Sequence, residues 1–245
     1  MRIIIVLLLI ELIHYNGFSQ NDYKKIKVSD DIELIKLSDN AYVHVSYSDL
    51  PEFGRFPSNG LIFINNNEAF LFDTPVTDSL TMDLVSWIQD SMKFKITGFV
   101  PNHWHKDCMG GLGYLQHLKI ESYANQMTMD IAKAKNLPVP TYGFKDSLQL
   151  QLGDKLIKCY YFGAAHTLDN IVVWIPSEKI LFAGCMIKSS NSKDLGNTTD
   201  SDLTAYPKTI DKLIDRFSMT KIVIPGHGQF GGFELLKHTK ELLIK

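Results

Sequence analysis

The sequence has few cysteines, almost no net charge and no low-complexity tract. Its net charge of −2 gives no field that would attract nucleic acid or an anionic membrane, so we expect neither as a partner. The three cysteines are an odd number, which leaves at least one thiol for a metal, a partner or burial. With 245 residues and 45% hydrophobic content, the chain suits one large globular domain or two fused halves with a shared core.

A short apolar run near the N-terminus is not expected to belong to the fold. Arg2 precedes the apolar residues 3–10, and small residues follow them. This order predicts a secretory signal peptide at residues 1–19, whose removal leaves a single periplasmic domain at 20–245. The run is shorter than a bilayer requires, and no cysteine precedes Cys108, so we expect no membrane anchor.

The hydrophobic pattern predicts strands and helices in a similar order in each half of the chain. In the first half we expect strands at 32–37, 41–47, 60–65, 68–73 and 96–100, and helices at 77–92, 111–118 and 125–135. In the second half we expect strands at 147–152, 155–161, 170–175, 179–183 and 221–224, and helices at 203–217 and 233–244. Residues 136–140, with two prolines, are the predicted linker. Two such halves predict an α/β fold, a four-layer αββα sandwich with the sheets inside.

Residues 48–57 are predicted to form a loop between two strands. Leu50, Phe53 and Phe56 lie there among two prolines and a glycine. Their apolar side chains suit either ordinary core contacts or an apolar flap over a cleft, and the residues alone leave both interpretations open.

A polar stretch directly after the predicted strand 96–100 contains closely spaced ligand-type side chains. Pro101 ends the strand, and His103, His105 and Asp107 then alternate before two glycines. Imidazole nitrogens and carboxylate oxygens are common zinc ligands, and on a loop these three can surround one point. Idle polar residues at a loop tip are a poor explanation for this spacing.

Three more ligand-type residues follow other predicted strands, namely His166, Cys185 and His227. Each is near glycine or alanine, so backbone can approach a shared centre. Cys185 alone would suit a small core residue equally well. Six such residues are enough for two metal sites, and this mixture of nitrogen, sulfur and carboxylate donors favours zinc over magnesium or calcium. Three protein ligands per ion leave one position open, which is typical of a catalytic site.

These motifs resemble those of the metallo-β-lactamase superfamily over essentially the whole mature chain. The matching segments are residues 102–111, 165–170, 184–188 and 226–228. Other hydrolases of the superfamily, such as the glyoxalase II type, have an aspartate at the position of Cys185 and a histidine where this chain has Cys108. The sequence is therefore similar to class B β-lactamases of the first, two-zinc subclass.

The resemblance implies two zinc ions per chain and a ligand set for each. The first ion would be held by His103, His105 and His166. The second would be held by Asp107, Cys185 and His227. A zinc-bound hydroxide would then hydrolyse the ring amide of penicillins, cephalosporins and carbapenems, which would give antibiotic resistance.

The same resemblance implies roles for residues that carry no signal of their own. Lys188 would bind the substrate carboxylate, and Asn197 would bind substrate near the lactam carbonyl and help to stabilise the oxyanion. Asp107 would orient the nucleophile. Asp73 is a candidate partner for a ligand histidine, and residues 48–57 would form a substrate flap. A monomer with a small-molecule β-lactam substrate is expected.

Two other functions are compatible with the residues. A thioester, lactone or phosphodiester could be the substrate, although Cys185 and the absence of a histidine after Asp107 count against this. A non-catalytic zinc-binding domain is the third hypothesis, although all six ligands are present.

Overall fold

Two β-sheets, one from each half of the chain, form the centre of the molecule. The computed structural model describes residues 23–50 and 54–244, so the predicted signal peptide at 1–19 and Phe53 lie outside the described residues. The first sheet consists of β1 (Lys25–Lys27), β2 (Ile32–Lys36), β3 (Ala41–Leu50), β4 (Gly54–Asn65), β5 (Glu68–Phe72) and β6 (Lys95–Val100). A short sheet consists of β7 (Tyr123–Asn125) and β8 (Tyr142–Phe144). The second large sheet consists of β9 (Ser147–Leu152), β10 (Lys155–Tyr160), β11 (Val172–Ile175), β12 (Ile180–Gly184) and β13 (Ile222–Pro225).

Helices connect the strands and cover the outer faces of the sheets. They are α1 (Asp78–Ser86), α2 (Lys106–Met109), α3 (Leu112–His117), α4 (Gln126–Ala134), α5 (Tyr206–Arg216) and α6 (Glu234–Leu243). Thr77 caps α1, because its hydroxyl accepts the Leu80 N–H at 3.2 Å. A π-helical turn, Trp87–Ser91, then continues α1. Among the described residues, no helix has both the length and the apolar character needed to cross a membrane.

The two large sheets share one pattern of strand pairing. The first has the order β1 to β6, and the second has the order β13-β12-β11-β10-β9. Neighbours pair antiparallel except for β5 with β6 and β12 with β13, which pair parallel. Parallel neighbours need a crossover connection, and α1 and α5 lie in these two connections. Each half therefore repeats the order of elements predicted from the sequence.

Three apolar layers hold the sandwich together. Val43, Phe72 and Phe182 belong to the layer between the sheets, and all three are fully buried. A second layer joins the first sheet to α1 and α3, and a third joins the second sheet to α5 and α6. Each fully buried Leu or Phe contributes about 1.5–3 kcal/mol to folding. The four-layer αββα sandwich is confirmed.

Most of residues 48–57, predicted to be a loop, belong to a long β-hairpin instead. β3 continues to Leu50, β4 begins at Gly54, and Ser48 pairs with Phe56. The N–H of Asn59 points away from β3, because it donates to the Gly226 carbonyl at 2.8 Å. Pro57 lies two residues before Asn59 on β4, so its nitrogen also faces away from β3. Its missing N–H therefore removes no hydrogen bond between β3 and β4. The proline therefore does not interrupt the strand, and these residues are not the loop that the sequence predicted.

The predicted linker at 136–140 does not separate the two halves. It connects α4 to β8, and the Gln116 side chain donates to the Val139 carbonyl at 2.7 Å. Leu137 and Val139 pack against the apolar layer of the first half. α4 ends before Asn136, whose φ of +54° does not continue a helix, and the two prolines that follow do not mark the boundary between the sheets.

A buried histidine lies in β3, below the loop that follows β6. His44 is fully buried, and its Nε2 lies 3.1 Å from the carbonyl of Asp73. Burial lowers the pKa of His44 to about 4, so the ring is neutral at physiological pH. Its neighbour on β4 is Gly60, where a Cβ would lie 2.0 Å from His44 Nε2. The missing side chain of Gly60 makes the space for the ring.

Candidate metal centre

The six predicted ligand residues come together from loops that follow four different strands. His103, His105 and Asp107 come after β6, and Asp107 lies in the first turn of α2 rather than on a loop as predicted. The others are His166 between β10 and β11, Cys185 after β12 and His227 after β13. The parallel pairs end at these loops, which is where functional side chains commonly lie in α/β folds.

Three imidazole rings form one group, which we call the three-histidine cluster (His103, His105 and His166). Nε2 of His103 lies 3.0 Å from Nδ1 of His105. The His166 ring centroid lies 5.0 Å from that of His103 and 5.4 Å from that of His105, with the rings nearly perpendicular. Burial lowers the pKa of His103 to about 3 and also lowers that of His166. Both rings are therefore neutral, the form that binds metal.

Asp107, Cys185 and His227 form the second group, which we call the mixed cluster. Cys185 Sγ lies 3.3 Å from Asp107 Oδ2 and 3.2 Å from His227 Nε2. Asp107 Oδ2 lies 3.1 Å from His227 Nε2. Zinc bonds of 2.0–2.3 Å in a tetrahedral arrangement separate the ligand atoms by roughly 3.3–3.6 Å. The three donors therefore fit a zinc ion with only small shifts.

Charge in the mixed cluster favours a cation at its centre. Burial raises the pKa of Asp107, but the hydrogen bond and charge of His227 outweigh burial and hold that pKa below its ordinary value. The hydrogen bond from Cys108 is the largest cause that lowers the pKa of Cys185 to about 6. Burial opposes a charge on His227, yet Cys185 and Asp107 raise its pKa well above its ordinary value. The Asp107 and Cys185 side chains thus stabilise a positive charge on His227, and a metal cation bound by the three donors would take the place of that proton.

The two clusters adjoin each other. The ligand atoms of His103, His166 and Cys185 all lie within 4.8 Å of one another, and the same holds for Asp107, Cys185 and His227. Cys185 therefore belongs to the mixed cluster and borders the three-histidine cluster. The two clusters therefore form one continuous group of candidate metal ligands.

Strand β4 fixes the orientation of His227. The Nδ1–H of His227 donates to the Pro57 carbonyl at 2.9 Å, which leaves Nε2 for the cluster. The Phe56 ring lies 4.8 Å from the His227 ring. The Asn59 amide donates to the carbonyls of Pro225 and Gly228 at 2.9 and 2.8 Å, so it holds both ends of the loop that carries His227.

Asn102 and Cys108 contact His103 at its Nδ1 atom. The Nδ1 of His103 lies 3.1 Å from Asn102 Oδ1 and 3.2 Å from Cys108 Sγ. Asp73 was predicted to contact a ligand histidine, and this is wrong. Its carboxylate instead accepts the backbone N–H of Asn102 at 2.5 Å and a hydrogen bond from Cys108. Asp73 therefore supports the ligand histidine indirectly, through Asn102 and Cys108, and not by direct contact with the ring.

Two aspartates support the three-histidine cluster, and the sequence analysis missed both. Asp200 Oδ2 lies 2.9 Å from His105 Nε2. Asp169 is fully buried, and its Oδ2 accepts the Trp104 N–H at 3.0 Å and the Thr128 hydroxyl at 2.7 Å. Asp169 lies in the same motif as His166, which was a usable signal. No local pattern links Asp200 to a histidine 95 positions away.

Lys188 and Asn197 lie near the clusters without belonging to them. Burial lowers the pKa of Lys188, and the charges of Cys185 and Asp107 oppose this shift, which places the ammonium close to the mixed cluster. Asn197 is exposed, and its Oδ1 accepts the Thr199 N–H at 3.0 Å in a turn. Asn197 shares this loop with Asp200. Their roles toward a substrate stay predictions.

Known proteins resemble this chain closely. No family model matches it. A metallo-β-lactamase type 2 from Bacteroides fragilis is 52% identical over 220 residues, which cover 90% of this chain and 88% of that protein. The chain belongs to the metallo-β-lactamase family. Its Asp-Cys-His set agrees with the first subclass of class B members.

Solved structures of the family share the fold. A metallo-β-lactamase from Pontibacter korlensis is 34% identical with a TM-score of 0.84, over 87% of this chain and 99% of that one. The metallo-β-lactamase FIM-1 from Pseudomonas aeruginosa, solved in a mono-zinc form, is 30% identical with a TM-score of 0.82, over 89% of this chain and 98% of that one. Family membership implies zinc binding, and the ligand groups described above suit it.

Proposed function

We propose that this metallo-β-lactamase hydrolyses the ring amide of penicillins, cephalosporins and carbapenems with zinc, and that it gives resistance to them. The observation that carries this proposal is the pair of adjoining clusters, in which Cys185 completes the mixed set. Its 52% identical relative from Bacteroides fragilis is a metallo-β-lactamase, which supports the same substrate class.

The protein binds two zinc ions per chain in this proposal. The three-histidine cluster, whose rings contact one another, holds one ion, and the mixed cluster, whose donor atoms lie within 4.8 Å of one another, holds the other, because each offers three donors and leaves one position open. When bound, zinc supplies Lewis acidity, which polarises an amide carbonyl and lowers the pKa of water toward about 7.

Three side chains of this protein then bind and orient the reactants. Oδ2 of Asp107 faces Cys185 and His227, which leaves Oδ1 to accept a hydrogen bond from the attacking water and to take its proton. The Lys188 ammonium pairs with the substrate carboxylate. Because Oδ1 of Asn197 accepts the Thr199 N–H, the amide nitrogen of Asn197 is the donor toward the lactam carbonyl oxygen.

The β3–β4 hairpin is the substrate flap in this proposal. Its described part brings Phe56 to within 4.8 Å of the His227 ring, at the edge of the mixed cluster. Arg55, next to the turn of the hairpin, pairs with Asp31, with Nη1 and Oδ1 2.5 Å apart. An apolar hairpin beside the ligands suits a mobile cover that excludes water during turnover.

We also infer that residues 1–19 direct export to the periplasm, and that the mature chain acts there as a monomer without a membrane anchor. The positive start and short apolar run support export. Detection of a chain that begins near residue 20 in a periplasmic fraction would test this, and a full-length cytoplasmic chain would contradict it.

Hydrolysis assays with and without a zinc chelator test the proposed function. The mature protein should open a carbapenem ring, lose this activity with chelator and regain it when zinc is added. A lactone and a thioester serve as competing substrates. If these turn over faster than any β-lactam, the substrate assignment is wrong. If β-lactam hydrolysis continues after zinc removal, the zinc assignment is wrong.

A further inference from the structure

Asp169 has a buried carboxyl group without a charged partner. Its side chain is fully buried, and it makes no ion pair within the described residues. Two groups donate to Oδ2, namely the Trp104 N–H at 3.0 Å and the Thr128 hydroxyl at 2.7 Å. The other oxygen, Oδ1, is buried and has no hydrogen bond of ordinary geometry to the part of the chain that the structure describes. Burial accordingly raises the pKa of Asp169, and a charge there destabilises the fold.

Asp169 is connected to all three residues of the three-histidine cluster. The nitrogen that donates to Oδ2 belongs to the peptide bond between His103 and Trp104, and His105 is the next residue along the chain. Asp169 itself follows His166 by three residues, in the loop between β10 and β11. The carboxyl group therefore holds the backbone between two of the candidate ligands and shares a loop with the third.

Holding this backbone does not by itself require a charge. The next residue, Asn170, fixes the same loop with a neutral amide, which accepts the Thr167 N–H at 2.9 Å and donates to the Gly163 carbonyl at 3.1 Å. An asparagine at position 169 would have the same shape as the aspartate, and its amide oxygen could accept both hydrogen bonds that Oδ2 accepts. The carboxylate thus brings a buried charge that its hydrogen bonds do not need.

We propose that Asp169 is a positioning residue whose negative charge is balanced by the cation of the three-histidine cluster, so that it strengthens metal binding there and destabilises the metal-free chain. Three neutral imidazoles leave a bound divalent ion with its full charge, whereas the carboxylate and the thiolate of the mixed cluster can neutralise theirs. A buried carboxylate beside the neutral ligand set and the ion bound there stabilise each other. The presence of zinc in this cluster rests on the proposed function, whereas the cost to the metal-free chain does not.

Asp169→Asn tests the charge, because it keeps the shape and the acceptor. Titration against a chromophoric chelator should show zinc binding to the three-histidine cluster weakened about 10- to 100-fold, with a smaller change at the mixed cluster. The metal-free variant should unfold at the same urea concentration as the unaltered metal-free chain or at a higher one, since the buried charge is gone. A role in structure alone would not move affinity and stability in this way.

Thr128→Val is the matched control, because it keeps the charge and the approximate shape but removes the donor at 2.7 Å. The buried carboxylate then has one hydrogen bond fewer, so the metal-free chain should unfold at a lower urea concentration. Zinc binding should change little, because the charge remains. The two variants should therefore differ in opposite directions, one in affinity and the other in stability.

The outcomes separate this proposal from the proposed function. If the unaltered chain binds no zinc, the proposed function and the balancing cation fail together. If it binds two ions and Asp169→Asn binds them equally tightly, only the role of Asp169 is wrong. A metal-free Asp169→Asn chain that unfolds as early as Thr128→Val, or equal losses of zinc affinity in the two variants, would show that Asp169 acts only through its hydrogen bonds and would overturn the proposal.

Discussion

The two ligand clusters lie side by side, yet they are built from different side chains and held by different parts of the fold. The three-histidine cluster consists of rings whose neighbours are the buried Asn102 amide, the buried Cys108 thiol and the exposed Asp200 carboxylate. The mixed cluster combines a carboxylate, a thiol and one imidazole, and the Asp107 and His227 side chains keep 22% and 30% of their surface exposed. Strand β4 of the proposed flap holds His227, whereas Asn102 and Cys108 hold His103.

This difference predicts that the clusters respond to different disturbances. Neutral rings with lowered pKa values keep their ligand form over a wide pH range. A cluster of opposite charges, in which the His227 ring is held by the proposed flap, should lose metal first when protons or strain are added. The experiments below separate the two clusters, beginning with the largest expected effect.

Removing one ligand from each cluster gives the largest effect. His166→Ala should empty the three-histidine cluster, and Cys185→Ser should empty the mixed cluster, because two ligands rarely hold zinc. Hydrolysis should fall about 100-fold or more in each variant. With cobalt(II) as the probe, the thiolate-to-metal charge-transfer band should persist in His166→Ala and disappear in Cys185→Ser. A band that survives in Cys185→Ser would show that the mixed cluster is wrongly assigned.

Loosening the support of the mixed cluster should have the next largest effect. Asn59→Ala removes two hydrogen bonds to the loop that carries His227, so the mixed cluster should bind metal about 10- to 100-fold more weakly. The three-histidine cluster should be unaffected. Isothermal titration with zinc measures both affinities.

Asn65→Ala is the matched control for that variant. The Asn65 amide is also buried, and it donates to the Leu152 carbonyl at 2.7 Å and to Asp154 at 2.8 Å, away from both clusters. Both variants should lose about 1–3 kcal/mol of stability. Equal losses of metal affinity in the two variants would mean that Asn59 acts only through overall stability.

Acidification should separate the clusters without any mutation. The pKa of Cys185 is lowered to about 6 and that of His227 is raised, so below pH 6 zinc must displace protons from both the thiol and the ring, and its apparent affinity should fall at least about tenfold per pH unit. The pKa of His103 is about 3, so that ring stays neutral at pH 5. Metal content between pH 7 and pH 5 should drop toward one ion per chain. Loss of the three-histidine ion first would contradict the comparison.

The smallest effect is expected at the exposed edge of the three-histidine cluster. Asp200→Ala removes the partner of His105 Nε2, but 41% of the Asp200 side chain is exposed, so water can take its place. We expect a loss of zinc affinity below about tenfold, confined to the three-histidine cluster. Asp194→Ala, on the same loop, is the control for zinc affinity, because its carboxylate accepts the Gly196 N–H at 2.8 Å and its charge acts on Lys188 rather than on a ligand histidine. Equal effects in the two variants would assign the change to the loop as a whole.

The sequence predicted the layers of the fold because periodic patterns are local. Alternation and helical spacing predicted most ends of the strands and of the larger helices to within a few residues. The pattern failed at residues 48–57, where Pro57 suggested a break. Whether a proline interrupts a sheet depends on which side its missing N–H would face, and this requires the pairing register.

The six candidate ligands were predictable because histidine, cysteine and aspartate directly after a strand have few common roles, and metal binding is one of them. The groups that contact these ligands were harder to predict. The contact from Pro57 to His227 uses a backbone carbonyl, which every residue has, so no side-chain pattern marks it. Asp200 reaches His105 from a distant loop. Such partners follow from the tertiary arrangement alone.

The close approach at Gly60 restricts how this sequence can change. A side chain at position 60 would overlap both the His44 ring and the backbone carbonyl of Phe72, which would lie 2.6 Å from its Cβ. A smaller residue at position 44 would remove the first overlap and leave the second. A descendant that replaces His44 therefore still needs glycine at position 60, whereas position 44 could change as long as the space beside Gly60 is filled.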